Sequence, residues 1–151
     1  MKGLIIGFIG DYGVGKTTAS KIISDFGFYR VSINEKVNEI ACHLFSKEEI
    51  KLNKPHILNG IRRKGCLISK LYWFNLVMGS IPNDKNLVVF DDLSIDEIEN
   101  KKILVYQIIR PDFTTIEIPD VKTIVNDGTL NDFTDKIKIE FSDKNLSKML
   151  K

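Results

Sequence analysis

The apolar positions of this chain follow two alternating rhythms. Leu4-Ile5-Ile6-Gly7-Phe8-Ile9 is a short run, apolar on both faces and ended by Gly10, the pattern of a strand buried on both sides of a sheet. From Thr17 to Phe26 the period changes. Ala19, Ile22, Ile23 and Phe26 recur at i, i+3, i+4 and i+7, and Gly27 follows, which predicts an amphipathic helix with a glycine stop. Phe28-Tyr29-Arg30-Val31 reads as a second strand. Ser32-Ile33-Asn34-Glu35 has the spacing of a capping box, and the helix behind it carries Val37, Ile40, Ala41, Leu44 and Phe45 on one face. Residues 46–66 are polar and basic, interrupted by Pro55, Gly60 and Gly65, and define no element. Helical spacing returns from Leu67 to Met78 through Ile68, Leu71, Phe74 and Val77. Leu87-Val88-Val89-Phe90 is another apolar strand, ending at Asp91-Asp92, with a short helix expected from Ser94. Ile103 to Ile109 and Val121 to Val125 are two more strands, closed by Arg110-Pro111 and by Asn126-Asp127-Gly128. From Thr129 the apolar residues Phe133, Ile137 and Phe141 recur every four positions, which favours a helix. Alternation from Lys136 to Phe141 leaves a strand open there.

Apolar strands alternating with amphipathic helices predict an α/β fold, a mostly parallel central sheet with helices on both faces. Ligands of such folds bind beyond the carboxyl ends of the strands. A length of 151 residues suits one domain. The expectation is a single domain over 1–151, with 46–66 a candidate lid or acceptor-binding segment. Apolar residues at 43% and charged residues at 28% are ordinary globular usage, against disorder or a collagen-like repeat. Charge is nearly balanced, 22 − 20 = +2, which gives no bulk attraction to nucleic acid or an anionic membrane. Cys42, Cys66, His43 and His56 lack the clustering of a zinc site. Two reduced cysteines fit a cytoplasmic protein. The run Leu4 to Ile9 is too short for a secretory signal core, and no apolar stretch is long enough to span a membrane.

The strongest chemical signal is Gly10-Asp11-Tyr12-Gly13-Val14-Gly15-Lys16-Thr17. It matches G-x-x-x-x-G-K-[ST] in full, between a buried strand and an amphipathic helix. Glycines let the main chain wrap a phosphate with its N–H groups inward. The next helix offers unpaired N–H groups and its positive dipole end. Lys16 can reach β- and γ-phosphates, and the Thr17 hydroxyl can hold Mg²⁺. Asp91 and Asp92 end a buried strand, where a P-loop enzyme needs a carboxylate for Mg²⁺. Either could equally cap a turn; Asp91 is the favoured metal ligand because it directly follows the apolar run. Arg62-Arg63-Lys64 is either a solvated basic patch or a set of cations for a transferring phosphoryl group. Asn126-Asp127-Gly128-Thr129 is a turn in any protein. Arg110 ends a strand on the functional edge and either contacts phosphate or pairs with a nearby acid. Tyr72 and Trp73 read as core aromatics, and neither histidine has a recognisable partner.

With these residues in view, the chain resembles the nucleoside monophosphate kinase group of P-loop proteins, and most of all the bacteriophage deoxynucleoside monophosphate kinases. The resemblance runs through Ile9 to Ile22, Gly27 to Phe45, Val88 to Leu93, Arg110-Pro111 and Ile124 to Leu130. Only the phosphate loop is specific. The resemblance implies a three-layer P-loop NTPase fold and transfer of the ATP γ-phosphoryl group to a (deoxy)nucleoside monophosphate, giving the diphosphate and ADP. It assigns ATP to Asp11, Tyr12, Gly13, Val14, Gly15, Lys16, Thr17 and Thr18, with Arg110 nearby and Asn126, Asp127, Gly128 and Thr129 beside adenine. It assigns Mg²⁺ to Thr17 and Asp91, and acceptor or transferring phosphates to Arg62 or Arg63. The catalytic set is then Lys16, Arg62, Arg63 and Asp91. The expected partner is a small phosphate acceptor in the cytoplasm (a host's, if the chain is viral). Rival readings are a dephospho-coenzyme A kinase or other small-metabolite kinase, and a catalytically weak nucleotide-binding module. Apolar helix faces serve cores and interfaces alike, so a monomer and a homodimer both stay open.

Overall fold

The computed structural model describes residues 3–98, 103–113 and 118–149. Its strands are β1 (Leu4–Ile9), β2 (Tyr29–Val31), β3 (Leu87–Phe90), β4 (Leu104–Ile109) and β5 (Lys122–Val125). Its helices are α1 (Lys16–Ser24), α2 (Ile33–Leu44), α3 (Lys47–Ile68), α4 (Tyr72–Ser80), α5 (Leu130–Glu140) and α6 (Asp143–Met149), with a single 3₁₀ turn at Ile95–Glu97. The strands form one parallel sheet in the order β2-β3-β1-β4-β5. The architecture is α/β, a parallel sheet flanked by helices. The chain divides into two compact units, Met1–Arg30 with Pro82–Lys151, and Val31–Ile81.

In the first unit β1 is the central strand. All six of its residues are buried, which is why its sequence is continuously apolar rather than alternating. It aligns in parallel with β3 at Leu4↔Leu87 and with β4 at Ile6↔Leu104. Leu4, Ile6 and Phe8 share one sheet face and pack with Ala19 and Ile23 of α1 and Phe133 and Ile137 of α5. On the opposite face Gly7 admits Leu93: a Cβ there would lie 2.0 Å from Leu93 Cδ1. Tyr106 fills the core beside Phe141, with ring centroids 4.9 Å apart, and its hydroxyl donates to Glu140 at 2.9 Å. Burial first, and the Glu140 carboxylate second, push the Tyr106 phenol well above its ordinary range. The strand alternative over 136–141 is not adopted. Thr129 and Asp132 form a complete capping box that starts α5, and Ile139, which alternates with Ile137 and Phe141, is turned outward and 71% exposed.

The second unit is helical. Ser32 Oγ accepts from Glu35 N at 3.1 Å, as the spacing predicts, and opens α2. The stretch in which the sequence defines no element is α3. A capping box starts it: Ser46 N donates to Glu49 Oε2 at 2.8 Å and Glu49 N to Ser46 Oγ at 3.3 Å. Asn53 leaves helical geometry at φ −137° and ψ 29°, two residues before Pro55, whose ring removes one donor and crowds the preceding turn. The helix predicted over 67–78 is corrected to two pieces. α3 ends at Ser69, which is extended, and α4 begins at Tyr72. Folding back brings Trp73 onto Gly65, where a Cβ would lie 2.4 Å from the indole nitrogen. Among the described residues no helix is long and apolar enough to cross a membrane.

Candidate functional site

Because the sheet is parallel, β1, β3, β4 and β5 all end at one edge. The loop after β1 turns there on glycines. Gly10 has φ +150°, and a Cβ on it would come 2.3 Å from the Ile108 carbonyl oxygen. Gly15 has φ +111° and caps the start of α1; its missing side chain makes room for Asn126 Nδ2 and Phe133 Cε1, each 3.0 Å from where a Cβ would stand. Val14 is wholly buried and anchors the loop from beneath. Lys16 folds back over it, its Nζ donating to Gly10 O at 2.8 Å and Asp11 O at 2.6 Å. Asp11, Tyr12, Gly13 and Thr17 are exposed and Thr18 is half-buried. The first turn of α1 has no acidic residue and no side-chain cap. Its N–H groups and positive dipole end therefore favour an anion.

The strand-end carboxylate is wired to that first turn. Asp91 is 3% exposed. Its Oδ2 pairs with Arg30 Nη2. Arg30 Nε donates to Ser20 Oγ at 3.2 Å, and Ser20 Oγ donates to Thr17 O at 3.0 Å. Arg30, in β2, carries no role in the sequence pattern alone. The available signal is a cation one residue before the end of a strand of a parallel sheet, on the edge where Asp91 follows another. Among the described residues no group of three or more His, Cys, Asp and Glu side chains could hold a metal ion. Thr17 is exposed at the start of α1, and Asp91 already carries Arg30.

Residues 126–129, after β5, make contacts within the sheet unit. Asn126 N donates to Ile109 O at 2.8 Å, and Asn126 Nδ2 donates to Val14 O at 2.9 Å. A trans peptide points its C=O and the following N–H in opposite directions. Holding the Val14 carbonyl toward Asn126 therefore aims the Gly15 N–H away from it. Asp127 pairs with Lys136, and that partner draws its carboxyl below the usual range. Thr129 is the cap of α5, and a Cβ at Gly128 would crowd Asp132 Oδ2 at 2.7 Å. Arg110 reaches Asp112 at 3.3 Å and lies 5.7 Å from the Phe113 ring centroid. Phe113 in turn borders the loop, 3.8 Å from where a Gly13 Cβ would be.

Arg62 and Arg63 belong to α3 in the helical unit. Arg62 Nη1 donates to Asn34 Oδ1 at 2.7 Å, while Arg63 is exposed. The structure thus brings Lys16, Thr17, Asp91, Arg110 and Asn126 to one edge of the sheet unit, and holds Arg62 to α2. No model of a known protein family matches the chain, and no curated protein matches its sequence.

Proposed function

We propose that the chain is a P-loop phosphotransferase of the three-layer NTPase fold, moving the γ-phosphoryl group of ATP to a (deoxy)nucleoside monophosphate. One observation carries the reading: a glycine-turned loop between a buried strand and an uncapped helix start, with Lys16 folded across its carbonyls. Loop N–H groups and the α1 dipole hold the polyphosphate. Lys16 exchanges its carbonyl contacts for β- and γ-phosphate oxygens and neutralises charge as it develops on the transferring group. Bound Mg²⁺, held by Thr17 and by Asp91 through water, would supply further charge neutralisation and orient the phosphate chain. Arg30 pairs with Asp91 and fixes its carboxylate. No covalent protein intermediate is needed, since positioning and electrostatics suffice for phosphoryl transfer.

The test is ADP release from ATP with a panel of dNMPs, NMPs and dephospho-coenzyme A. Turnover is expected with at least one nucleoside monophosphate, and Lys16→Met is expected to lower it about 10²–10³-fold with unchanged circular dichroism. Wild-type turnover in that variant, or ADP formation indifferent to every monophosphate, overturns the assignment. Turnover with dephospho-coenzyme A alone moves it to a different acceptor.

A further inference from the structure

The helical unit holds a concavity of about 570 Å³, within the size range of small-molecule sites. Ile40 and Leu44 of α2, Ile57, Ile61 and Ile68 of α3 and Trp73 of α4 wall it with carbon. Two glycines shape it. A Cβ at Gly60 would meet nothing within 4 Å, so α3 leaves open space there, whereas Gly65 is filled by the indole of Trp73. That ring is fixed by its Nε1 donating to Arg62 O at 2.7 Å and by an edge contact with Tyr72 at 5.1 Å. The wall is open to water: Leu44 is 66% and Ile68 74% exposed. Its basic side chains are His56 and Lys64, and no lining residue is Asp or Glu.

We propose that this cavity binds a small amphipathic anion, an aliphatic carboxylate whose chain lies on the isoleucine and tryptophan wall and whose head group meets Lys64 and His56. Charge selects this occupant. A lining that carries Lys64 and no acid complements an anion. Set against itself in an isologous contact with a second copy, the same lining would oppose its own charge. A nucleotide needs polar partners for base, sugar and phosphate together, and this wall is mostly carbon. The proposal does not depend on the phosphotransferase reading.

Trp73 is the chain's one tryptophan and is 2% exposed on the cavity floor, so its emission reports occupancy directly. The full chain is titrated with octanoate, decanoate and dodecanoate below their micelle concentrations. A saturable one-site change is expected, tightening about fourfold per added methylene, so about 16-fold from octanoate to decanoate. Decanol is expected to bind about 2–5-fold more weakly than decanoate, the worth of an exposed ion pair. Lys64→Glu is expected to reverse the charge preference, favouring decylammonium over decanoate. Gly60→Leu fills the open space and is expected to abolish binding; should it not fold, Lys64→Glu decides alone. No saturable change with any chain length, or unaltered decanoate binding in Lys64→Glu, overturns the proposal. So does competition by a deoxynucleoside monophosphate, which would make this the acceptor site. A Trp73 signal that tracks protein concentration, with dimer seen by sedimentation, would give the face to a second copy instead.

Discussion

Asn126→Ala separates two roles for the loop after β5. Its side-chain amide donates to the Val14 carbonyl at 2.9 Å, across 112 residues of sequence. Removing it forfeits a net hydrogen bond of about 0.5–1.5 kcal/mol and leaves a part-buried carbonyl unsatisfied at about 1–3 kcal/mol. These overlap, so a loss of about 1–3 kcal/mol of stability is expected. At about 2–4 °C per kcal/mol for a chain of this size, Tm falls by about 2–12 °C. The freed Gly15 peptide must then be ordered when an anion binds. A transfer of about 1–2 kcal/mol to that step weakens Kd about 5–30-fold. Calorimetric titration should show this loss equally for ATP, GTP and inorganic tripolyphosphate, because the brace acts on the loop and touches no base. Asn126→Asp should be no better than alanine, since a carboxylate cannot donate to the carbonyl. If Asn126→Ala binds tripolyphosphate as the wild type does and loses only its discrimination between ATP and GTP, the brace is refuted and Asn126 reads the base.

Three further outcomes test the structure. Arg30→Met strands the buried Asp91 carboxylate and should cost about 3–5 kcal/mol in urea unfolding, much of it recovered by adding Asp91→Asn. Gly65→Ala drives a Cβ to 2.4 Å from the fixed Trp73 ring and should destabilise by about 1–3 kcal/mol or more; Gly60→Ala, in open space on the same helix, should stabilise by about 0.5–1 kcal/mol. The Tyr106 phenol is held protonated in the folded chain above its ordinary value of 10.0. Above that pH the unfolded chain loses the proton first, so wild-type stability should decline as pH rises. The advantage of wild type over Tyr106→Phe, measured by denaturant midpoints, should be full below pH 10 and shrink above it.

The asparagine brace and the arginine pair show where local reading stops. The glycine loop, the strand at Leu4–Ile9 and the cap at Ser32 were legible because each is encoded within a few residues: a buried parallel strand must be apolar on both faces, and a cap needs one oxygen near one N–H. Helix α3 was not legible. Pro55 and two glycines argue against a helix one residue at a time, and its support comes from the box at Ser46 and Glu49 and from Trp73 seated on Gly65. Propensity is a weak prior when tertiary packing opposes it.

Periodicity settled which faces of the strands and helices turn inward, since burial of one face imposes a repeat that any short window displays. It could not say which distant groups would meet. Arg30 finds Asp91 across 61 residues, and Asn126 finds Val14 across 112. Those meetings follow from the strand order β2-β3-β1-β4-β5, which brings the ends of sequence-remote strands to one edge. Strand order is decided by the cooperative burial of the whole sheet, a property that no single segment carries.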